Sequence, residues 1–134
     1  MQIKSGTLFK NDKSHGLFHR NEWKPRHVIL TSVSLDFYDF EGGLFKDSID
    51  LTRCLYWDAV EVMPNDCPKS GKSPCTGWQL AIQMPLERHF IAAVSESDMH
   101  AWRDAIAAVI KQNYIQRRCS TSARAGAKEK AFLA

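Results

Sequence analysis

The chain has 134 residues, 44% of them hydrophobic and 25% charged, and a net charge of +3. That length supports one domain with its own core, without metal or disulfide staples. No apolar run approaches the ~18 residues a membrane span needs, and the N-terminus MQIKSGTLFK lacks a signal-peptide core, so cytosolic residence is the expectation. Cys54, Cys67, Cys75 and Cys119 fit no C-x-x-C pattern. They are expected as reduced thiols, although the spacing of Cys67 and Cys75 permits a disulfide.

In chain order, Ile3 to Lys10 alternates and is rich in β-formers, and Trp23 to Thr31 follows as a second strand. Ser34 to Phe40 is the third, closed by a turn at Glu41-Gly42-Gly43. Ser48 to Leu51 is a short fourth strand, and Leu55 to Met63 reads as the fifth. Asn65 to Gly77 holds two prolines and two glycines and reads as a long loop. Trp78 to Met84 and Arg88 to Val94 pair as a hairpin across Pro85-Leu86-Glu87. Seven evenly spaced strands predict an antiparallel barrel or sandwich. After Val94 the period changes. Ser95 is placed to cap a helix whose first turn carries acids. Met99, Trp102, Ile106, Val109 and Ile110 form its apolar stripe, which should plug the opening the strands leave. The helix is expected to end near Gln112, giving a domain over residues 1–112. The Ala-, Ser- and basic-rich residues 113–134 then read as a disordered tail.

Charge is distributed unevenly. Residues 10–26 hold Lys10, Lys13, Arg20, Lys24 and Arg26 against Asp12 and Glu22, with His15 and His19 in reserve. Residues 27–112 hold seven basic against twelve acidic residues. Concentrated positive charge on an acidic body points to a polyanion partner. Leu17 and Phe18 sit within that charge, which suggests a loop that faces a membrane, with His15 and His19 able to tighten contact when protonated.

Several separated segments resemble the pleckstrin homology family. These are Lys4-Ser5-Gly6-Thr7-Leu8-Phe9-Lys10, Trp23-Lys24-Pro25-Arg26-His27-Val28-Ile29-Leu30, Ser48-Ile49-Asp50-Leu51, and Trp102-Arg103-Asp104-Ala105-Ile106. The resemblance implies a seven-stranded antiparallel barrel capped by the terminal helix, and a non-catalytic module that binds phosphoinositide or other anionic phospholipid head groups. It places head-group contacts at Lys10, Lys24 and Arg26, with Lys46 at a further basic position; Lys13 and Arg20 add charge beside them. Arg can grip a phosphate bidentately, and residues two apart on a strand share a face. Where the family often has a phosphate-binding tyrosine, this chain has Phe37, with Tyr38 on the opposite face unless a bulge intervenes. The loop Asn65 to Gly77 resembles that of evectin-type members, which favour phosphatidylserine; Lys69 and Lys72 could then join an anion site.

No cofactor, metal or nucleic-acid partner is expected. Gly71-Lys72-Ser73 lacks the earlier glycine of a phosphate loop and is followed by Pro74. His89 has no partner at metal-binding spacing, and no nucleophile or carboxylate pair stands out for catalysis. The expected protein is cytoplasmic and peripherally membrane-associated. The alternative is a protein-interaction scaffold of the same fold without strong lipid binding.

Overall fold

The computed structural model describes residues 2–13, 21–68 and 75–133, with side chains over 2–12, 22–68 and 75–119. Seven strands form one antiparallel sheet: β1 (Gln2–Lys13), β2 (Asn21–Thr31), β3 (Ser34–Tyr38), β4 (Phe45–Asp50), β5 (Val60–Val62), β6 (Gln79–Gln83) and β7 (Arg88–Ala92). Their spatial order is β4-β3-β2-β1-β7-β6-β5. One helix, α1 (Glu96–Leu133), follows. This is the expected architecture. No described helix is long and apolar enough to cross a membrane.

Alternation sets the core. Leu8 on β1, Val28 and Leu30 on β2, Leu35 and Phe37 on β3 and Ile49 on β4 all point to one buried face. Leu80 and Ile82 on β6 and Ile91 on β7 complete it. From α1, Met99, Trp102, Ile106, Val109 and Ile110 fill the remaining side, as their spacing requires. Trp102 is fully buried, and its ring lies where Gly6 leaves room: a Cβ there would stand 3.5 Å from it. Ser95 caps the helix, its Oγ accepting from the Asp98 N–H at 3.1 Å.

Two elements differ from expectation. Leu55–Met63 is not one strand. It holds a short 3-10 turn at Trp57–Ala59, and only Val60–Val62 pairs with β6. Of the aromatic residues that suggest a strand there, Trp57 meets Tyr114 of α1 edge-on, while Tyr56 is exposed. The helix also does not stop at Gln112. Asn113, expected in a disordered tail, is buried and donates to the Ser32 carbonyl at 3.1 Å. Arg117 donates to the Cys54 carbonyl at 2.8 Å. Polar anchors thus carry the helix past the end of its apolar stripe.

The outer face bears a smaller apolar cluster. Trp23, Ala81, Phe90 and Ala92 pack there with Phe9, and the two flanks of the long loop, Cys67 and Cys75, lie against them. Both cysteines are free, and burial pushes the Cys67 thiol up to about 11.

Candidate functional site at the barrel mouth

The ribbon of β1 and β2 runs beyond its neighbours. β1 pairs with β7 only at Phe9↔Ala92 and Lys10↔Ile91, and pairing of β2 with β3 ends at His27↔Tyr38. Past those points the ribbon forms one lip of the barrel. Pro25, opposite Phe9, lies in this stretch, where β2 has no β3 partner to lose. The register sets Lys10 opposite Lys24 and Leu8 opposite Arg26. Since Leu8 is a core residue, Lys10, Lys24 and Arg26 all stem from the inward-facing side of the ribbon.

Two of them meet at once. Lys10 Nζ stands 2.9 Å from Asp12 Oδ1, and Arg26 Nη2 stands 3.3 Å from the other oxygen of that carboxylate. Lys10 also reaches Asp47 on β4 at 2.9 Å. Arg26 Nη1 reaches Asp39 at 3.0 Å, and Lys46 holds the second Asp39 oxygen at 3.5 Å. The result is a continuous chain of charge: Asp47, Lys10, Asp12, Arg26, Asp39, Lys46. Lys24 stands apart from that chain, half-exposed, and pairs with Glu22 at 3.5 Å.

Burial explains why the chain exists. Lys10 is only 7% exposed, and an unpaired ammonium there would cost several kcal/mol. Burial alone would lower its pKa; the hydrogen bonds to Asp47 and Asp12 outweigh it and raise the pKa above the ordinary value. Asp47 mirrors this. Burial would raise its pKa, but Lys10 holds the carboxyl below its usual range. The Phe37 ring adds to the setting, with Lys10 Nζ 5.2 Å from its centroid. β4 does carry a register shift, between Phe37↔Asp47 and Tyr38↔Phe45, but it leaves Phe37 buried and Tyr38 edge-on to Phe45.

A cavity of about 240 Å³ opens beside Lys10, where β1 and β7 splay apart; Asn11, Asp12, Asp47 and His89 line it. Asn11 Nδ2 is buried without a hydrogen-bond partner among the described residues. Burial holds the His89 imidazole below its ordinary range, against the pull of Glu87 at 3.3 Å. Arg88, next to it, is committed elsewhere: it bridges Glu61 at 2.6 Å and Asp66 at 2.8 Å, tying β7 to β5 and the long loop.

Lys10, Arg26 and Lys46 are therefore brought together, and Lys24 shares their side of the ribbon. Leu17, Phe18, Arg20, His15, His19, Lys69 and Lys72 lie outside the described residues, as does the side chain of Lys13. Reading the chain for cations misses the carboxylates Asp12, Asp39 and Asp47 as partners in the same site. Asp12 carries a local signal, standing two residues from Lys10 on the same face. Asp39 and Asp47 carry none, because strand pairing alone brings them in. Among the described residues no group of three or more His, Cys, Asp or Glu could hold a metal ion.

The family model of the PH domain matches residues 2–111. The Pleckstrin homology domain protein OPY1 of Saccharomyces cerevisiae is 31% identical over 101 residues, covering 75% of this chain. The chain spans only 29% of that protein's length. Among solved structures, the C-terminal PH domain of pleckstrin in complex with D-myo-Ins(1,2,3,4,5)P5 is similar at a TM-score of 0.57 and 23% identity, over 81% of this chain and 98% of that one. The Slm1 PH domain in complex with phosphoserine is similar at 0.55 and 17% identity, over 82% and 96%. At such identities the likeness to these structures is one of fold. The match of the family model over most of the length and the relationship to the yeast protein go further: the chain belongs to the PH domain family.

Proposed function

We infer that the domain is a non-catalytic membrane-targeting module that binds phosphoinositide or other anionic phospholipid head groups at the barrel mouth. The observation that carries this reading is the convergence of Lys10, Arg26 and Lys46 on shared carboxylates, with the half-exposed Lys24 on the same side. Relatives of the same fold hold an inositol pentakisphosphate and a phosphoserine, which supports a phosphate-bearing ligand in general. Lys13 and Arg20, near these cations in the sequence, would add positive charge.

The carboxylates determine the manner of binding. Three cations face three carboxylates in the chain from Asp47 to Lys46, so its formal charge is nil. A head-group phosphate must take Lys10 and Arg26 from Asp12, Asp39 and Asp47 instead of meeting free cations. Such exchange yields modest affinity, and the half-exposed cations make it fall with salt. The half-exposed Lys24 and Lys46 supply the first contact.

Co-sedimentation with anionic vesicles at two salt concentrations tests the reading. Wild-type binding should fall with salt, and Lys24→Ala/Arg26→Ala should abolish it. Lys24→Ala/Lys46→Ala, which leaves the buried pairs intact, should weaken it. A domain that ignores such vesicles, or binds them equally after these changes, is instead a protein-interaction scaffold.

A further inference from the structure

The sheet has a free edge beside α1. β5 ends the strand order, and β6 pairs with it on one side only. The Met63 N–H donates to the Gln79 carbonyl at 2.8 Å, in the register that sets Glu61 opposite Ala81. By the alternation of an antiparallel ladder, Glu61 and Met63 turn their backbone groups to β6, while Val60 and Val62 turn theirs to the free edge. Such an edge is a template for one more strand. A groove of about 460 Å³ lies between that edge and α1. Val60, Ala107 and Ala108 give it an apolar lining, and Trp57 stands beside them. Trp57 remains 46% exposed although it meets Tyr114, and Leu55 and Tyr56, just before it, are 53% and 60% exposed. A half-exposed indole beside alanines suits one inserted apolar side chain.

Charge selects the occupant. Arg103 and Asp104, both at the groove, satisfy one another at 2.7 Å. From Ala105 to Cys119 α1 carries Lys111, Arg117 and Arg118 and no acid. Lys111 lines the groove, and Arg118 lies two turns on, along the same side of the helix. Tyr114 ties Arg118 to this place: its ring meets Trp57, and its hydroxyl accepts from Arg118 at 3.1 Å. Arg117 is already engaged by the Cys54 carbonyl. Asp58 is the remaining acid lining the groove among the described residues. The helix wall is thus basic, and the facing edge offers backbone N–H and C=O groups, which ask for a second backbone that a lipid surface does not supply. We propose that this groove takes an extended, acidic segment of a partner protein. The segment adds a strand along β5, sets an apolar side chain against Ala107, Ala108 and Trp57, and places its carboxylates on Lys111 and Arg118. The groove shares no residue with the charged chain at the mouth, so the site is separate from head-group binding.

The test pans random peptides displayed on phage against the full chain, then measures an enriched peptide by fluorescence anisotropy. Enriched peptides should carry Asp or Glu on either side of an apolar residue. Lys111→Glu/Arg118→Glu should weaken binding of that peptide at least about tenfold, the scale of losing two charge-assisted contacts. Val62→Pro removes an N–H that the β6 ladder does not use and should weaken binding comparably. If that variant melts early, hydrogen exchange of the wild type decides: the Val60 and Val62 amides should exchange more slowly with peptide present. A selection that enriches no acidic peptide overturns the proposal, as does a peptide that binds the charge-reversed variant like wild type. Binding that leaves the Val60 and Val62 amides exchanging as before also overturns it, since no strand is then added. If no acidic peptide is enriched and Lys111→Glu instead loses anionic vesicles, the face is a membrane contact and the proposal falls.

Discussion

Replacing Asp47 by Asn should tighten binding to anionic membranes while slightly weakening the fold. Asp47 Oδ2 meets Lys10 Nζ at 2.9 Å, and its Oδ1 accepts the Ser48 N–H at 2.8 Å. Asparagine keeps the second bond, and Lys10 keeps Asp12 at 2.9 Å. The Asp47 side chain is 51% exposed, so water screens the lost pair and the cost to stability is about 0.5–1 kcal/mol. The effect on binding is larger. A phosphate taken up by Lys10 would lie about 5 Å from the Asp47 carboxylate, where like charges repel by roughly 1–3 kcal/mol at surface-like dielectric constants. Half-exposure favours the lower end, or about a tenfold gain in affinity. Vesicle titration at low salt measures it. Asp104→Asn on the exposed face of α1 adds the same net charge away from the mouth and should change affinity far less. Weaker or unaltered binding by Asp47→Asn would refute the idea that a phosphate exchanges for this carboxylate.

Two further outcomes follow from packing and protonation. Trp102→Ala empties the space between α1 and Gly6 and should cost ~3–5 kcal/mol, read by urea denaturation; a loss below about 1 kcal/mol would mean the helix does not close the core. His89 has a folded-state pKa depressed below its ordinary 6.5, so the unfolded chain takes up the proton first as pH falls. Its contribution to stability is therefore present above about pH 6.5 and lost as pH drops below it. The melting temperature should fall more in wild type than in His89→Gln between about pH 7.5 and about pH 5.5, and equal slopes would contradict that burial.

Strand count, the capping role of Ser95 and the closing role of Trp102 are legible in the residues because each depends on local spacing. The same holds for the common face of Lys24 and Arg26, whereas Lys10 joins them through the pairing of β1 with β2. What fails to show is non-local. Asp39 becomes a partner of Arg26 through the pairing of β2 with β3, and Asp47 of Lys10 only once β4, β3, β2 and β1 are paired in order. Leu55-Tyr56-Trp57 reads as strand from its aromatic content, whereas Trp57 opens a 3-10 turn and meets Tyr114. The helix outlasts its apolar stripe because Asn113 and Arg117 find backbone carbonyls, which leave no periodic trace.

The contact of Trp102 with Gly6, where Lys4 also lies 5.1 Å above the indole, joins the last element of the domain to the first. On the ribosome, strands emerging early have no indole to close over them, and their inward faces stay wet until residues beyond Trp102 clear the exit tunnel. Completion of the domain is thus an all-at-once event late in synthesis, and a stalled or truncated nascent chain would present sticky sheet surface to chaperones.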